Sequence, residues 1–233
     1  MEHLAGVPMM GAGLLGGVLL GLGAALLLVA WLGRRTYRYD DEAELPVRDA
    51  RWLAVVLPVV LGLIGAGWWA SAPGAALLLA GYSLVLGALA AIDLDVHRLP
   101  DAITLPLMGV TLAGVAAVSL SQGSAEALLR AVAAGAALGG FYLVQVLVGG
   151  ARGMGLGDAK LAVSLGMVLG LLSWVHVFAG TLAAYLFALV WGVCLIVARK
   201  ADRRTEIAFG PHMALGAVLV FAAPGVTGLM GLL

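Results

Sequence analysis

Eight apolar segments dominate this chain of 233 residues and leave it few choices of fold. They lie near residues 7–32, 52–71, 74–92, 103–121, 125–148, 159–173, 175–198 and 211–232. A helix of about 20 apolar residues crosses a bilayer, and a spanning helix satisfies its own backbone hydrogen bonds. The pattern predicts an all-α, polytopic transmembrane bundle of about eight spans. Because the sixth segment is short and its boundary near Ser173 is indistinct, seven spans is the alternative.

The composition agrees with a surface that faces membrane lipid. Hydrophobic residues make up 63% of the chain and charged residues only 11%, against about 25% charged residues in soluble domains. A net charge of +0 gives no reason to expect nucleic acid as a partner. The one cysteine, Cys194, allows no internal disulfide, and no zinc-ligand spacing occurs, so we predict no metal. The N-terminus lacks a basic region ahead of the first segment, and the segment is long, so it is interpreted as a retained span rather than a cleaved signal peptide.

The positive charges are distributed unevenly about the predicted spans. All thirteen Lys and Arg residues except Arg130 fall in loops or span ends on one side of the membrane. The positive-inside rule makes that side cytoplasmic, which places both termini on the extracytoplasmic side. The loops on the opposite side are only a few residues long. Any chemistry that needs polar side chains is therefore expected at the cytoplasmic boundary.

Two aspartates lie at the ends of apolar stretches on this same side. Asp93 is found in "AIDLDVHRLPDAITLPL", where Pro100 follows seven residues later and Asp101 comes directly after it. A proline here cannot continue the preceding helix, so it predicts a sharp reversal of the chain. Asp95 is interpreted as an ordinary loop acid. Asp101 is either a helix cap or part of a site, and both interpretations remain open.

The second aspartate, Asp158, follows a glycine-rich run in "GARGMGLGDAKLA". Gly153, Gly155 and Gly157 allow the backbone to approach a neighbouring segment or a ligand closely. Asp158 stands at the start of the sixth span, where the helix dipole favours a carboxylate, so a purely capping role is the alternative. The run is a poor match to a phosphate-binding loop, because the Gly-Lys-Ser/Thr ending is missing.

Three motifs together resemble the type IV leader peptidases, or prepilin peptidases, a family of GxGD-type membrane aspartyl proteases. They are "AIDLDVHRLPDAITLPL", "GMGLGDAKLA" and the later "IAFGPHMALGA". The resemblance covers roughly residues 52–232 and implies Asp93 and Asp158 as the catalytic pair. It also implies that Gly155, Gly157, Lys160, Pro100, Asp101 and Arg98 bind substrate or shape the site.

The resemblance implies a function and a location. The substrate would be a type IV pilin-like precursor, cut after a glycine where its basic leader meets the cytoplasmic face of the inner (plasma) membrane. Proteolysis would need no cofactor, because two neighbouring carboxylates share a proton and activate water. Ser164 and Ser173 are expected to lie without a histidine beside them, so no serine nucleophile competes.

The chain departs from many family members in its first cytoplasmic loop. Those members carry paired CxxC motifs there, bind zinc and methylate the new N-terminus with S-adenosylmethionine. Here the loop is short and has no cysteine. We expect residues 1–51 to form one span plus a loop without the zinc subdomain, and residues 52–233 to form the peptidase domain. S-adenosylmethionine would be needed only if methylation is retained.

Two other classes of membrane protein remain as alternatives. An ion- or proton-coupled transporter could use Asp93 and Asp158 as its ion site, although such acids usually lie near the bilayer midplane. A structural membrane subunit could use the same residues only as helix caps. Processing of a pilin precursor and ion flux distinguish these alternatives.

Overall fold

The computed structural model describes residues 2–149, 154–198 and 208–230. Within these ranges the chain forms α-helices and no strand, with one short 3-10 turn at Asp40–Glu42. The helices are α1 (Glu2–Gly33), α2 (Leu53–Trp68), α3 (Pro73–Val96), α4 (Asp101–Ser121), α5 (Ala125–Gly149), α6 (Leu156–Leu172), α7 (Trp174–Val197) and α8 (Gly210–Met230). Each predicted apolar segment corresponds to one of these helices, which confirms the all-α class.

Helix length and apolarity agree with a multi-pass membrane protein. Among the described residues, five helical segments are long and apolar enough to cross a membrane: Pro8–Gly33, Pro73–Val96, Asp101–Ser121, Ala125–Gly149 and Trp174–Val197. Leu53–Trp68 and Gly210–Pro224 are shorter apolar helices. The number of spans and the extracytoplasmic N-terminus stay predictions.

Helix α3 is longer than its apolar stretch. It continues past residue 92 to Val96, and the chain leaves the helix at His97, whose φ of 53° is left-handed. Asp95 is therefore buried in the last turn of a helix, and its interpretation as a loop acid is wrong. The polar side chain of Asp95 suggested a loop. A helix is held by hydrogen bonds between backbone groups, however, so a polar side chain does not end it. Pro100 is extended and precedes α4, so the helix of α3 does not continue through it, and the predicted sharp reversal stays a prediction.

The chain divides into two compact units. The first comprises Met1–Ala91 and Val218–Leu233, and the second comprises Ile92–Ala217. In the first unit, glycines let α1 and α2 approach closely, since a Cβ on Gly21 would lie 2.6 Å from Pro58 Cα. The predicted division between residues 51 and 52 stays a prediction.

Helix α6 is the core helix of the second unit, because most of its residues are buried. It packs against α5 through small residues, and a Cβ on Gly166 would lie 2.6 Å from the carbonyl oxygen of Ala134. At its far end, Arg130 of α5 donates from Nε to the Gly170 carbonyl at 2.8 Å. A second guanidinium nitrogen donates to the Leu171 carbonyl at 3.1 Å. These contacts fix α6, and so its first turn, relative to α5.

Candidate functional site

Asp93 lies in the last turn of α3, and only 4% of its surface is exposed. The backbone N–H of Gly210, the first residue of α8, donates to Asp93 Oδ2 at 2.9 Å. A Cβ on Gly210 would lie 2.8 Å from the same oxygen, so the close approach requires glycine. The late "FGP" segment therefore contacts the first aspartate directly.

Asp158 lies in the first turn of α6 and is buried, with 9% of its surface exposed. The N-cap residue of α6 is Gly155, and its N–H donates to Asp158 Oδ2 at 3.3 Å. Asp158 is thus the third helical residue and reaches back to the cap, as a capping-box acid does. The alternative interpretation is correct in that the Asp158 carboxyl accepts a capping hydrogen bond at the helix start. Asp158 is not the N-cap residue itself, which is Gly155. Burial of the same carboxyl goes beyond what a cap requires, since caps usually face water.

The two aspartates form a pair. The carboxyl group of Asp158 lies within electrostatic reach of that of Asp93. Their approach follows from the packing of the α6 start on the turn between α3 and α4, where a Cβ on Gly157 would lie 2.9 Å from Leu99 Cβ. Gly155 has ordinary room, because its nearest atom would be 3.5 Å away. The two motif glycines therefore do different things: Gly157 permits helix packing, and Gly155 supplies an N–H.

The ion pair between Asp101 and Lys160 is a second contact between the turn before α4 and the start of α6. Lys160 Nζ donates to both carboxylate oxygens of Asp101 at 2.7 Å. The N-cap residue of α4 is Pro100 rather than Asp101, so a capping role for Asp101 is wrong and its carboxylate serves as the partner of Lys160. Arg98 is half-buried in the intervening turn, and its part in substrate binding stays a prediction. Arg152 and Gly153 lie outside the described residues.

The structure contains two side-chain groups that the sequence analysis missed. Ser173 Oγ lies 2.6 Å from His176 Nδ1 and also accepts from the His176 N–H, so the expectation of a serine without a nearby histidine is wrong. The spacing of three residues at a helix start could have revealed this pair, which caps α7. The second group is a cluster of aromatic rings around Phe209. Its members are too far apart in sequence to predict.

Neither the site nor the rest of the described chain offers a metal centre. No group of three or more His, Cys, Asp or Glu residues in residues 2–149, 154–198 and 208–230 could hold a metal ion. Two buried carboxyl groups within electrostatic reach of each other can exchange protons with a water molecule that enters between them. Within a polytopic helical membrane protein, this arrangement is typical of an aspartyl hydrolase.

Comparison with known proteins agrees with this class. The profile of the type IV leader peptidase family matches residues 80–196, a range that includes both aspartates. The chain belongs to the type IV leader peptidase family. Phe209 and Gly210 lie beyond the matched range.

Individual relatives carry the same description. The chain is 34% identical over 191 residues to the prepilin leader peptidase/N-methyltransferase of Aeromonas hydrophila, covering 81% of this chain and 62% of the relative. It is 33% identical over 171 residues to the protein of that name from Neisseria gonorrhoeae, covering 71% and 54%. The chain thus spans about three fifths or less of these relatives' lengths. No solved structure matches it.

Proposed function

We propose that this chain is a membrane aspartic endopeptidase that removes the leader from type IV pilin-like precursors. The observation that carries the proposal is the pair of buried aspartates, each held by a backbone N–H and each within electrostatic reach of the other. Membership of the type IV leader peptidase family supports the choice of substrate.

The proposed mechanism uses Asp93 and Asp158 as one acid–base unit. Two close carboxylates cannot both ionise cheaply, so the pair holds one proton. The ionised member takes a proton from water as the water oxygen attacks the scissile carbonyl carbon. The protonated member donates its proton to the carbonyl oxygen, which gives a tetrahedral intermediate with two hydroxyl groups. As the C–N bond breaks, the aspartate that took the water proton donates it to the leaving nitrogen, and the other aspartate takes a proton back from one hydroxyl, which restores the singly protonated pair.

The hydrogen bonds on the two aspartates support this assignment. In each residue Oδ2 accepts a backbone N–H, from Gly210 for Asp93 and from Gly155 for Asp158. We assign Oδ1 of each carboxyl to the attacking water and the substrate. Because backbone donors move little, both carboxyls are positioned before the substrate binds, which lowers the cost of reaching the reactive geometry.

We place the site at the cytoplasmic boundary of the inner membrane, for which the distribution of Lys and Arg is the support. A precursor with a basic leader and a membrane-spanning helix would present the junction between leader and helix at this boundary. We assign substrate binding and site shaping to Pro100, Asp101, Arg98, Lys160, Gly155 and Gly157. S-adenosylmethionine enters no step of the proposed proteolysis.

The test is processing of a pilin-like precursor co-expressed with the chain. Asp93→Asn and Asp158→Asn should each abolish leader removal while the protein still accumulates in the membrane. Asp49→Asn is the matched control, because Asp49 is an exposed acid that pairs with Arg51 at the surface. Full processing by either active-site variant would refute the proposal. Loss of ion flux in both variants, with no cleavage by the wild type, would instead support a transporter.

A further inference from the structure

Three aromatic rings pack together beside Gly210, the residue whose N–H binds Asp93. Phe209 lies 5.2 Å from Tyr185 of α7 and 6.0 Å from Tyr142 of α5, measured between ring centroids. The two tyrosine rings lie 6.0 Å apart. All three distances are in the range of favourable aromatic contact. Tyr142 is almost fully buried, so this end of the cluster has little freedom to move.

The hydroxyl of Tyr185 is hydrogen-bonded to a glutamine of α5. Tyr185 Oη donates to Gln145 Oε1 at 2.8 Å. The Tyr142 hydroxyl lies within electrostatic reach of the Tyr185 hydroxyl. The Gln145 amide donates back to the Phe141 carbonyl at 3.5 Å, which fixes its orientation.

The aromatic cluster is linked to both aspartates of the site. Tyr142 lies within electrostatic reach of Asp158. Phe209 directly precedes Gly210, whose N–H holds Asp93. The Phe209 ring thus packs on Tyr142, which lies within electrostatic reach of Asp158, while the amide of the next residue binds Asp93. A shift of the Phe209 ring that carries its backbone with it would move the Gly210 N–H, because the two residues share a peptide bond.

We infer that Phe209 is a positioning residue, held by Tyr142 and Tyr185, which sets the direction of the Gly210 N–H and so the geometry of Asp93 relative to Asp158. The inference rests on the proposed function and deepens it. The rings perform this role, and the tyrosine hydroxyls only order the rings. Loss of a ring should therefore slow the chemical step without weakening substrate binding, because Phe209 acts through Asp93.

The experiment measures kcat and KM of the purified full chain with a precursor that has a basic leader and a glycine junction. Phe209→Ala should lower kcat about tenfold or more, since displacement of a catalytic group by about 1 Å can cost a hundredfold. KM should stay within about threefold of the wild-type value. Phe178→Ala is the matched control, because Phe178 is an exposed phenylalanine of α7. It should leave both constants unchanged.

A second pair of variants covers the case in which Phe209→Ala does not fold. Tyr185→Ala should lower kcat in the same way, whereas Tyr185→Phe keeps the ring and should stay within about threefold of wild type. The inference is overturned if the folded alanine variants keep wild-type kcat, or if only KM rises. Cleavage that still depends on Asp93 and Asp158 would then leave the proposed function intact. Absence of cleavage by the wild type would overturn both.

Discussion

The ammonium group of Lys160 on α6 lies 2.7 Å from each carboxylate oxygen of Asp101 at the start of α4. Lys160 is two residues beyond Asp158, and Asp101 is eight residues beyond Asp93. The ion pair therefore joins the two segments that carry the proposed catalytic residues. Together with the contact between Gly157 and Leu99, it makes the first turn of α6 and the α3–α4 turn one structural element.

The first prediction concerns this ion pair. Lys160→Met and Asp101→Asn should each slow precursor processing severalfold, and the double variant should be no slower than either single variant. The free energy of unfolding should change by about 1 kcal/mol or less, because a partly exposed ion pair contributes little to stability. A double-mutant cycle on processing rates is the measurement. Fully additive effects would show that the two residues act separately.

The second prediction separates the two glycines of the GxGD motif. Gly157→Ala places a Cβ 2.9 Å from Leu99 Cβ and 3.3 Å from its carbonyl oxygen, so α6 must move away from the turn. We expect a loss of about 1–3 kcal/mol in stability, as overpacking usually costs, and a large fall in processing. Gly155→Ala is the control, because its φ of −72° and ψ of 148° suit any residue. Equal effects of the two substitutions would contradict the assigned roles.

The third prediction tests the hydrogen bond to Asp93. Gly210→Ala brings a methyl group to 2.8 Å from Asp93 Oδ2 and must displace the N–H donor or the carboxyl group. Processing should fall about tenfold or more, as expected for a misplaced catalytic group. Gly109→Ala offers a comparison within α4, since no atom lies within 4 Å of its Cβ position. A Gly210→Ala variant with wild-type kcat would show that this bond does not position Asp93.

The fourth prediction concerns the stability of the fold rather than the catalytic step. Arg130→Met removes the donors to the Gly170 and Leu171 carbonyls at the C-terminal end of α6. Leaving buried acceptors unpaired should lower the free energy of unfolding by about 1–3 kcal/mol. Arg130 is separated from Asp158 by most of the length of α6, so the processing rate well below the unfolding temperature should stay unchanged.

Thermal unfolding in detergent, with Glu126→Gln as the control, measures the effect of Arg130. The Glu126 side chain is 89% exposed, and its ion pair with Arg130 should add little to stability. A large loss of processing in a folded Arg130→Met protein would indicate that the far end of α6 controls the site. Unchanged stability would show that the two carbonyls find other donors.

Much of the fold is predictable from hydropathy alone. Every apolar segment became a helix, and the boundaries differ by only a few residues at most ends. The exception at the end of α3 is instructive, because Asp93 and Asp95 stop the apolar run while the helix continues to Val96. Hydropathy measures side-chain transfer to lipid, whereas helix ends depend on backbone conformation, here the left-handed His97.

The candidate site was predictable in part. The resemblance of the motifs to a known family predicted roles for Asp93, Asp158 and Lys160, which stay predictions, but it gave no indication of what each carboxylate would contact. The donor to Asp93 comes from Gly210, 117 residues along the chain. The enclosing rings of Tyr142, Tyr185 and Phe209 are likewise distant in sequence. Such contacts depend on helix packing, and one sequence carries no signal for them.

The bond between Gly210 and Asp93 also has a consequence for the order of events during synthesis. Asp93 leaves the ribosome 117 residues before its hydrogen-bond donor. At about 5–20 residues per second, this delay lasts roughly 6–23 s. During that interval α3 is complete but the first aspartate lacks its partner. A nascent chain therefore cannot form this hydrogen bond until α8 has begun to emerge, so the proposed pair of aspartates reaches its described geometry only late in synthesis.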